Sequence, residues 1–375
     1  MSEKHIHIVS FDIPYPPNYG GVIDVFYKIK ALFDQGIKIH LHCIEYPGRD
    51  RTSELNKYCF SVDYYYRKTG IISALSCKPY IVCSRRSSEL LKNLQKDNYP
   101  ILFEGLHSCF YLTDSSLKNR IKIYRESNIE HLYYFNLFKV EKNILNKIYF
   151  LLESWKLYYF QKILKHADLM LAVSKKDTEY LQKTFPKNKV VYLPSFHANE
   201  NPQIIRGKGK YALYHGNIEV PENAYAAEYL IKEVFKNVDI PLIIAGMNPP
   251  EKIRKLVNRS KNVELISNPH NEKMFELIRN AHVNVLVTFQ ATGLKLKLLN
   301  TLYNGRFCLV NDKMLNGTAL HGLCEIANDS KQLTASLKKI FECSFDQKDI
   351  DLRNIKLNGL YSNKLNAEKL ISLIS

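Results

Sequence analysis

"HIHIVSFDIPYPPNYGGVIDVFYKIKALFDQGIKIHLHCIEY" (residues 5–46) reads as a strand, a loop, a helix and a second strand. The outer runs are short, apolar and β-like, whereas "VIDVFYKIKALFDQG" carries the helical period. The chain repeats this alternation, as expected for a parallel sheet covered by helices on both faces. Further strand candidates are "YPILFEGL", "IKIYRES", "DLMLAVS" and "KVVYLPS", with the helix "KKDTEYLQKTF" between the last two.

The polar stretch "FHANENPQIIRGKGK" (196–210) reads as an interdomain linker. Beyond it the alternation restarts. "YALYHGN", "PLIIAGM", "NVELIS", "VNVLVTF" and "FCLVN" are strands, and helical patterns lie between them. The expected architecture is α/β: two Rossmann-like, doubly wound parallel-sheet domains facing a cleft, with ligand at the strands' carboxyl ends. The expected boundaries are 1–200, 201–360 and a C-terminal helix at 361–375 packing back on the first domain.

The 375 residues include 53 Lys and Arg against 37 Asp and Glu, a net charge of +16. This excess favours acidic partners without choosing among nucleic acid, anionic lipid and phosphorylated small molecules. No nucleic-acid-binding module is recognisable, so none is expected as a partner. Eight scattered cysteines, several in apolar runs, suit a reduced cytoplasmic protein. The start "MSEKHIHIVSF" has no signal-peptide pattern, and no apolar run is long enough to span a bilayer.

"ATGLKLKLLNTLYNGRFCLVN" (291–311) places Lys295 and Lys297 at the start of a helix running from about Leu294 to Asn304. Cations in a first turn are disfavoured by roughly 0.3–1 kcal/mol each. A phosphate there would collect backbone N–H groups near Gly293 and Leu294, the helix dipole and the ammonium charge. The residues equally fit a solvated helix with two incidental lysines. "PYPPNYGG" permits close backbone approach at Gly20 and Gly21, or is simply a turn; it lacks a dinucleotide fingerprint. His107 follows one apolar strand, and Arg125, Glu126, Glu130 and His131 follow or end another. His107 could serve a site or be a satisfied structural histidine, and the spacing carries no metal signature. The helical candidate 141–165 combines lysines, aromatics and the single Trp. It suits either an anionic membrane surface or a half-buried domain helix.

Five segments, in order, resemble the bacterial nucleotide-sugar glycosyltransferases with the GT-B fold, particularly retaining family 4. "PYPPNYGGVIDVFYKIKALFDQGIKIHLH" resembles the family's P-x-x-G-G loop, helix and strand, and "YRESNIEHLYY" its HN-x-E segment. "DLMLAVSKKD" is similar to the strand before the interdomain crossing. "YHGNIEVPENAYAAEYLI" resembles the start of the donor domain, and "TGLKLKLLNTLYNG" resembles G-x-K-x-K-x-L-E-A-L-A-x-G.

The resemblance implies transfer of a sugar from a nucleotide-diphosphate sugar to a glycan or lipid-linked hydroxyl acceptor. It also implies retention of configuration, no obligatory metal and no further cofactor. Lys297 would stabilise the departing phosphate, and His107 would orient sugar or acceptor. Gly20, Gly21, Gly216, Asn217, Thr292, Gly293, Leu294, Lys295 and Asn300 would serve the donor; Tyr19, Arg125 and Glu130 would face the acceptor. Both family glutamates are replaced: Asn300 stands at the second, and Thr292 or nearby Gln290 at the first. Asn217 stands where an arginine often follows the loop glycine. Two readings therefore stay open beside the transferase, a non-catalytic GT-B partner subunit and a sugar-nucleotide 2-epimerase. The expected location is cytoplasmic, peripheral at the inner face of the membrane.

Overall fold

The computed structural model describes residues 3–70, 73, 76–141, 143–289 and 296–374. Two units emerge: Met1–His197 with Asn363–Ser375, and Ala198–Ala291 with Lys295–Ser362.

The first unit is built on a seven-stranded, wholly parallel sheet. Its strands are β1 (His5–Ser10), β2 (Lys38–Glu45), β3 (Ser61–Tyr66), β4 (Ile101–Glu104), β5 (Lys122–Glu126), β6 (Leu169–Ala172) and β7 (Lys189–Tyr192). Their order is β3-β2-β1-β4-β5-β6-β7. The chain winds outward from β1 in one direction, then crosses back to β4. The carboxyl ends of β1 and β4 therefore form a topological switch point, where such sheets bind ligands. Each face of the sheet has an apolar layer. Ile6, Ile8, Ile39 and Leu41 pack on one side with the helix Gly20–Asp34, while Val9, Phe103 and Tyr124 belong to the other layer. The C-terminal helix Asn363–Ile374 closes the first layer, with Ala367 and Leu370 buried beside the helix Gly20–Asp34.

The second unit has six parallel strands in the order β10-β9-β8-β11-β12-β13. They are β8 (Ala212–Asn217), β9 (Leu242–Met247), β10 (Val263–Ser267), β11 (Val283–Leu286), β12 (Phe307–Val310) and β13 (Glu325–Ile326). The switch point here lies between β8 and β11. Gly246, next to last in β9, pairs with Gly216, and a Cβ on Gly246 would run into the Gly216 carbonyl oxygen. Only glycine lets these two strand ends lie so close.

Several elements go beyond the sequence reading. The edge strand β3 and the helices Tyr80–Cys83 and Ser88–Leu94 fill a region to which no element had been assigned. The candidate 141–165 is the helix Ile144–Phe160 followed by a 3₁₀ stretch, Gln161–His166. The lysine-bearing helix is described over Leu296–Asn304.

The alternating histidines of β1 and β2 form a polar layer, with His7 and His42 buried and His5 and His40 partly buried. His5 and His7 share one face with His40 and His42; ring nitrogens of His7 and His42 are 2.8 Å apart, and those of His5 and His40 are 3.0 Å apart. Asp97 holds the far nitrogen of His7, and Tyr65 binds His42. Burial lowers the pKa of His7 to about 4 and carries His42 well below the usual histidine range; His40 is lowered for the same reason. Their neutral forms are therefore favoured by folding. This contribution is complete above about pH 6.5 and is lost as pH falls from there toward 4. His7 alone accounts for on the order of 3 kcal/mol. Urea unfolding at pH 7.5 and 4.5 should reveal the loss, and His7→Asn should flatten the dependence. An unchanged slope in the variant would remove the assignment.

Candidate functional site

In the first unit the polar groups gather at the carboxyl ends of β1, β4 and β5. The loop after β1 is clamped from within. Arg49 donates from Nε to the Ile13 carbonyl at 2.8 Å and from Nη1 to Asn18 Oδ1 at 2.7 Å, and it also reaches the Pro16 carbonyl. Tyr19 donates its hydroxyl to Asp12 Oδ2 at 2.6 Å, beneath the Arg49 guanidinium. Burial, with Asp12 beside it, raises the Tyr19 phenol, which stays protonated at neutral pH. Tyr19 is thus a loop-fixing residue that stays partly exposed.

The helix starts at Gly20. A Cβ on Gly21 would meet Phe11 Cζ at 2.6 Å, so this glycine lets the Phe11 ring lie against the helix start. The same ring packs 5.4 Å from the His107 imidazole. His107 follows β4 through Gly105, whose φ of 69° suits a residue without a side chain. Its Nδ1 is buried without a hydrogen-bond partner among the described residues, 3.9 Å from Glu130 Oε1.

Burial, reinforced by Arg85 and Arg67, drives the His107 pKa well below its usual value. Burial pushes the Glu130 carboxyl up to about 8, against the pull of Arg85. Arg85 itself is anchored on the Phe11 and Ile81 carbonyls and is lowered to about 10 by burial. At neutral pH the corner thus presents a neutral imidazole and a carboxyl able to donate a hydrogen bond. Groups shifted this far in a strand-end corner mark a candidate site.

Arg125 is not on an acceptor-facing surface and corrects the sequence expectation. Its guanidinium is fully buried, bonded to Asp24 at 3.0 and 3.2 Å and to the Leu193 and Pro194 carbonyls. Asp24 also accepts from Lys28 at 2.9 Å, and Lys28 reaches Glu104 at 2.6 Å. Arg125 points inward because this buried acidic pair needs it.

In the second unit the switch point collects another polar group. Lys297, one residue into its helix, donates from Nζ to Asn223 Oδ1 at 3.2 Å and lies 5.6 Å from the centre of the Tyr214 ring. Asn223 in turn donates to the Asn217 carbonyl at 2.8 Å. The lysine helix and the Gly216–Asn217 turn, 80 residues apart in sequence, are thus joined through one asparagine. Behind them His215 is buried, with Nε2 3.0 Å from Thr301 Oγ1. Burial and the Lys297 charge lower the His215 pKa to about 3, so among the described residues Lys297, not His215, carries positive charge in this corner at neutral pH.

Thr288, just after β11, bonds Glu222 through its hydroxyl and Asn311 through its backbone. Asn300 lies one turn beyond Lys297, and its side-chain oxygen accepts from Asn199 at 2.9 Å. Asn199 also accepts from Asn304 at 2.7 Å. Thr292, Gly293, Leu294 and Lys295, together with Gln290, lie outside the described residues.

The structure therefore brings Gly21, His107 and Glu130 together in one unit, and Gly216, Asn217 and Lys297 in the other. Arg49, Asp12, Arg85, Asn223 and Asn199 were missed in the sequence. Each acts on a residue well away in the chain except Asp12, whose role needs the Arg49 clamp. Among the described residues no group of three or more His, Cys, Asp or Glu side chains is placed to hold a metal, and no helix is long and apolar enough to cross a membrane.

Two doubly wound parallel sheets, each with polar groups at its switch point, define a two-domain α/β protein of the GT-B glycosyltransferase fold. The chain is similar over its full length to a glycosyltransferase from Rickettsia africae (TM-score 0.66, 11% identity, 100% of this chain and 98% of that one). It is equally similar to a variant of TarM from S. aureus in complex with fondaparinux, alpha-GlcNAc-glycerol and UDP (TM-score 0.66, 11% identity, 100% of both chains). In sequence it is 28% identical over 353 residues to an uncharacterized 44.6 kDa protein in the cps region of Klebsiella pneumoniae, covering 86% of this chain and 87% of that protein. No family model matches the chain.

Proposed function

We propose that the protein is a glycosyltransferase that moves a sugar from a nucleotide-diphosphate sugar to a hydroxyl acceptor, a glycan or lipid-linked precursor. The observation that carries this reading is the coupling of Lys297 to the Gly216–Asn217 turn through Asn223 at the switch point of the second sheet. A diphosphate at that corner would meet the lysine ammonium and the start of the Leu296–Asn304 helix. The bond between the sugar's anomeric carbon and the phosphate oxygen would break, and the acceptor oxygen would bond to that carbon. The hydroxyl proton would pass to the departing phosphate, and Lys297 would stabilise the charge developing there. Retention of configuration, as in family 4, and a step free of metal and cofactor belong to the proposal. In the first unit, neutral His107 and protonated Glu130 would hydrogen-bond sugar or acceptor.

The UDP bound by the TarM variant and the cps-region origin of the Klebsiella relative support the donor class and a role in surface-polysaccharide synthesis. The non-catalytic alternative draws on Asn300, which replaces the family glutamate and already accepts from Asn199. Calorimetric titration with UDP, GDP, CMP, dTDP and their common sugars distinguishes the two. Binding of one nucleotide at micromolar level is expected. No binding by any member of the panel would reverse the proposal in favour of the partner subunit.

A further inference from the structure

The helices Glu130–Val140 and Ile144–Phe160 pack together as a hairpin in the first unit. The second helix is apolar on both faces: Leu157 and Phe160 are buried in the core on its inward side. Its inward arc includes Glu153 and Ser154, both buried: Glu153 accepts from the Tyr80 backbone N–H at 2.7 Å, and Ser154 donates to the His131 carbonyl at 2.8 Å. At 3.6 residues per turn, Ile144, Ile148, Leu152, Trp155 and Tyr159 fall on the opposite arc with Leu145 at its edge. All six are more than half exposed. On the first helix, Leu132, Tyr133 and Phe135 are also exposed. Scattered apolar residues on a surface need no explanation, but a continuous aromatic and aliphatic stripe on the outward face does.

Charge decides what would cover it. Residues 130–165 contain six lysines (139, 142, 147, 156, 162 and 165) and three glutamates (130, 141 and 153), of which Glu130 is buried. Glu153 is buried and paired with Lys156 at 3.0 Å. Lys139, Lys147 and Lys162 lie within about 5 Å of the rings of Phe135, Phe138 and Tyr159. A second copy would bring this basic face against itself, lysine against lysine, in a two-fold pairing. An anionic bilayer offers the opposite charge to the lysines and an apolar layer to the stripe, with tryptophan and tyrosine at the boundary.

We infer that this hairpin is a membrane-docking element that lays the outward face of Ile144–Phe160 on an anionic phospholipid surface. The inference stands independently of the donor chemistry, although the hairpin begins at Glu130.

Trp155, the sole tryptophan, is a built-in reporter. The full chain is mixed with vesicles of phosphatidylcholine alone or with added phosphatidylglycerol, and both sedimentation and tryptophan emission are read. The expected result is co-sedimentation with the anionic vesicles, at least about tenfold tighter than with the neutral ones. Trp155 emission should shift to shorter wavelength. The double variant Ile148→Glu/Leu152→Glu should lose both signals while keeping its thermal midpoint and its nucleotide binding. Three results would overturn the inference: absence of binding to anionic vesicles, equal binding to both, or a concentration-dependent dimer with shifted Trp155 emission in lipid-free buffer.

Discussion

Asp24→Ala should cost the first unit about 3–5 kcal/mol, much of the 5–15 kcal/mol that holds a typical domain folded. Asp24 is buried and accepts from Arg125, Lys28 and the Phe196 backbone N–H. Burial alone would raise its pKa; Arg125 and Lys28 overcome that and hold the carboxyl well below the usual range. Removing it strands two buried cations with only Glu104 to balance them. The Glu104 carboxyl is itself pushed up by burial and by Asp24, against the pull of Lys28. Urea unfolding at pH 7 is the measurement. Asp24→Leu combined with Arg125→Met removes one stranded cation with the acid, leaves Lys28 paired with Glu104, and should recover much of the loss. A loss below about 1 kcal/mol in the single variant would mean that water reaches the network, as for exposed ion pairs.

The same network shows what sequence can and cannot reveal. The strand–loop–helix–strand reading of residues 5–46 and the restart near 212 rest on local hydrophobic period, and the structure places parallel strands at both. Asp24 and Lys28 carry no signal of burial in a linear reading, and Arg125 reads as a strand-end site residue. Their mutual burial depends on β5 lying beside β4 in the sheet. The edge strand β3, "SVDYYY", was missed because its side chains are mostly half-buried and show no strong alternation. His5, His7, His40 and His42 alternate visibly, but only the register of β1 against β2 turns them into a stacked layer.

The candidate site divides in the same way. Loop position and family resemblance single out Gly21, His107, Gly216 and Lys297 as candidates. Arg49 and Asn223, which tie those loops together, carry no motif of their own. Arg125 was misassigned because following a strand says nothing about which way a side chain points.

Lys297→Ala is the substitution expected to cost most in turnover. If the ammonium stabilises the phosphate more strongly as it departs than in the bound donor, its loss should lower kcat by about 10²–10³-fold, the scale set by removing one well-placed electrostatic donor. Nucleotide affinity should fall as well, because the diphosphate already carries charge in the ground state. Lys297→Arg keeps the charge but changes the geometry at Asn223 and should recover only part of the rate. Stability is a separate readout. The side chain is half-buried, and a cation in a helix's first turn is unfavourable, so removing it should leave the thermal midpoint unchanged or slightly higher. His215 provides an internal control. Its pKa is held near 3 by burial and by Lys297, so loss of the ammonium should raise it toward, but not to, the usual histidine value. NMR titration of His215 in the variant would register that change even without turnover. A variant with a shifted His215 but parental kinetics would mean that Lys297 occupies this corner without acting on a donor phosphate.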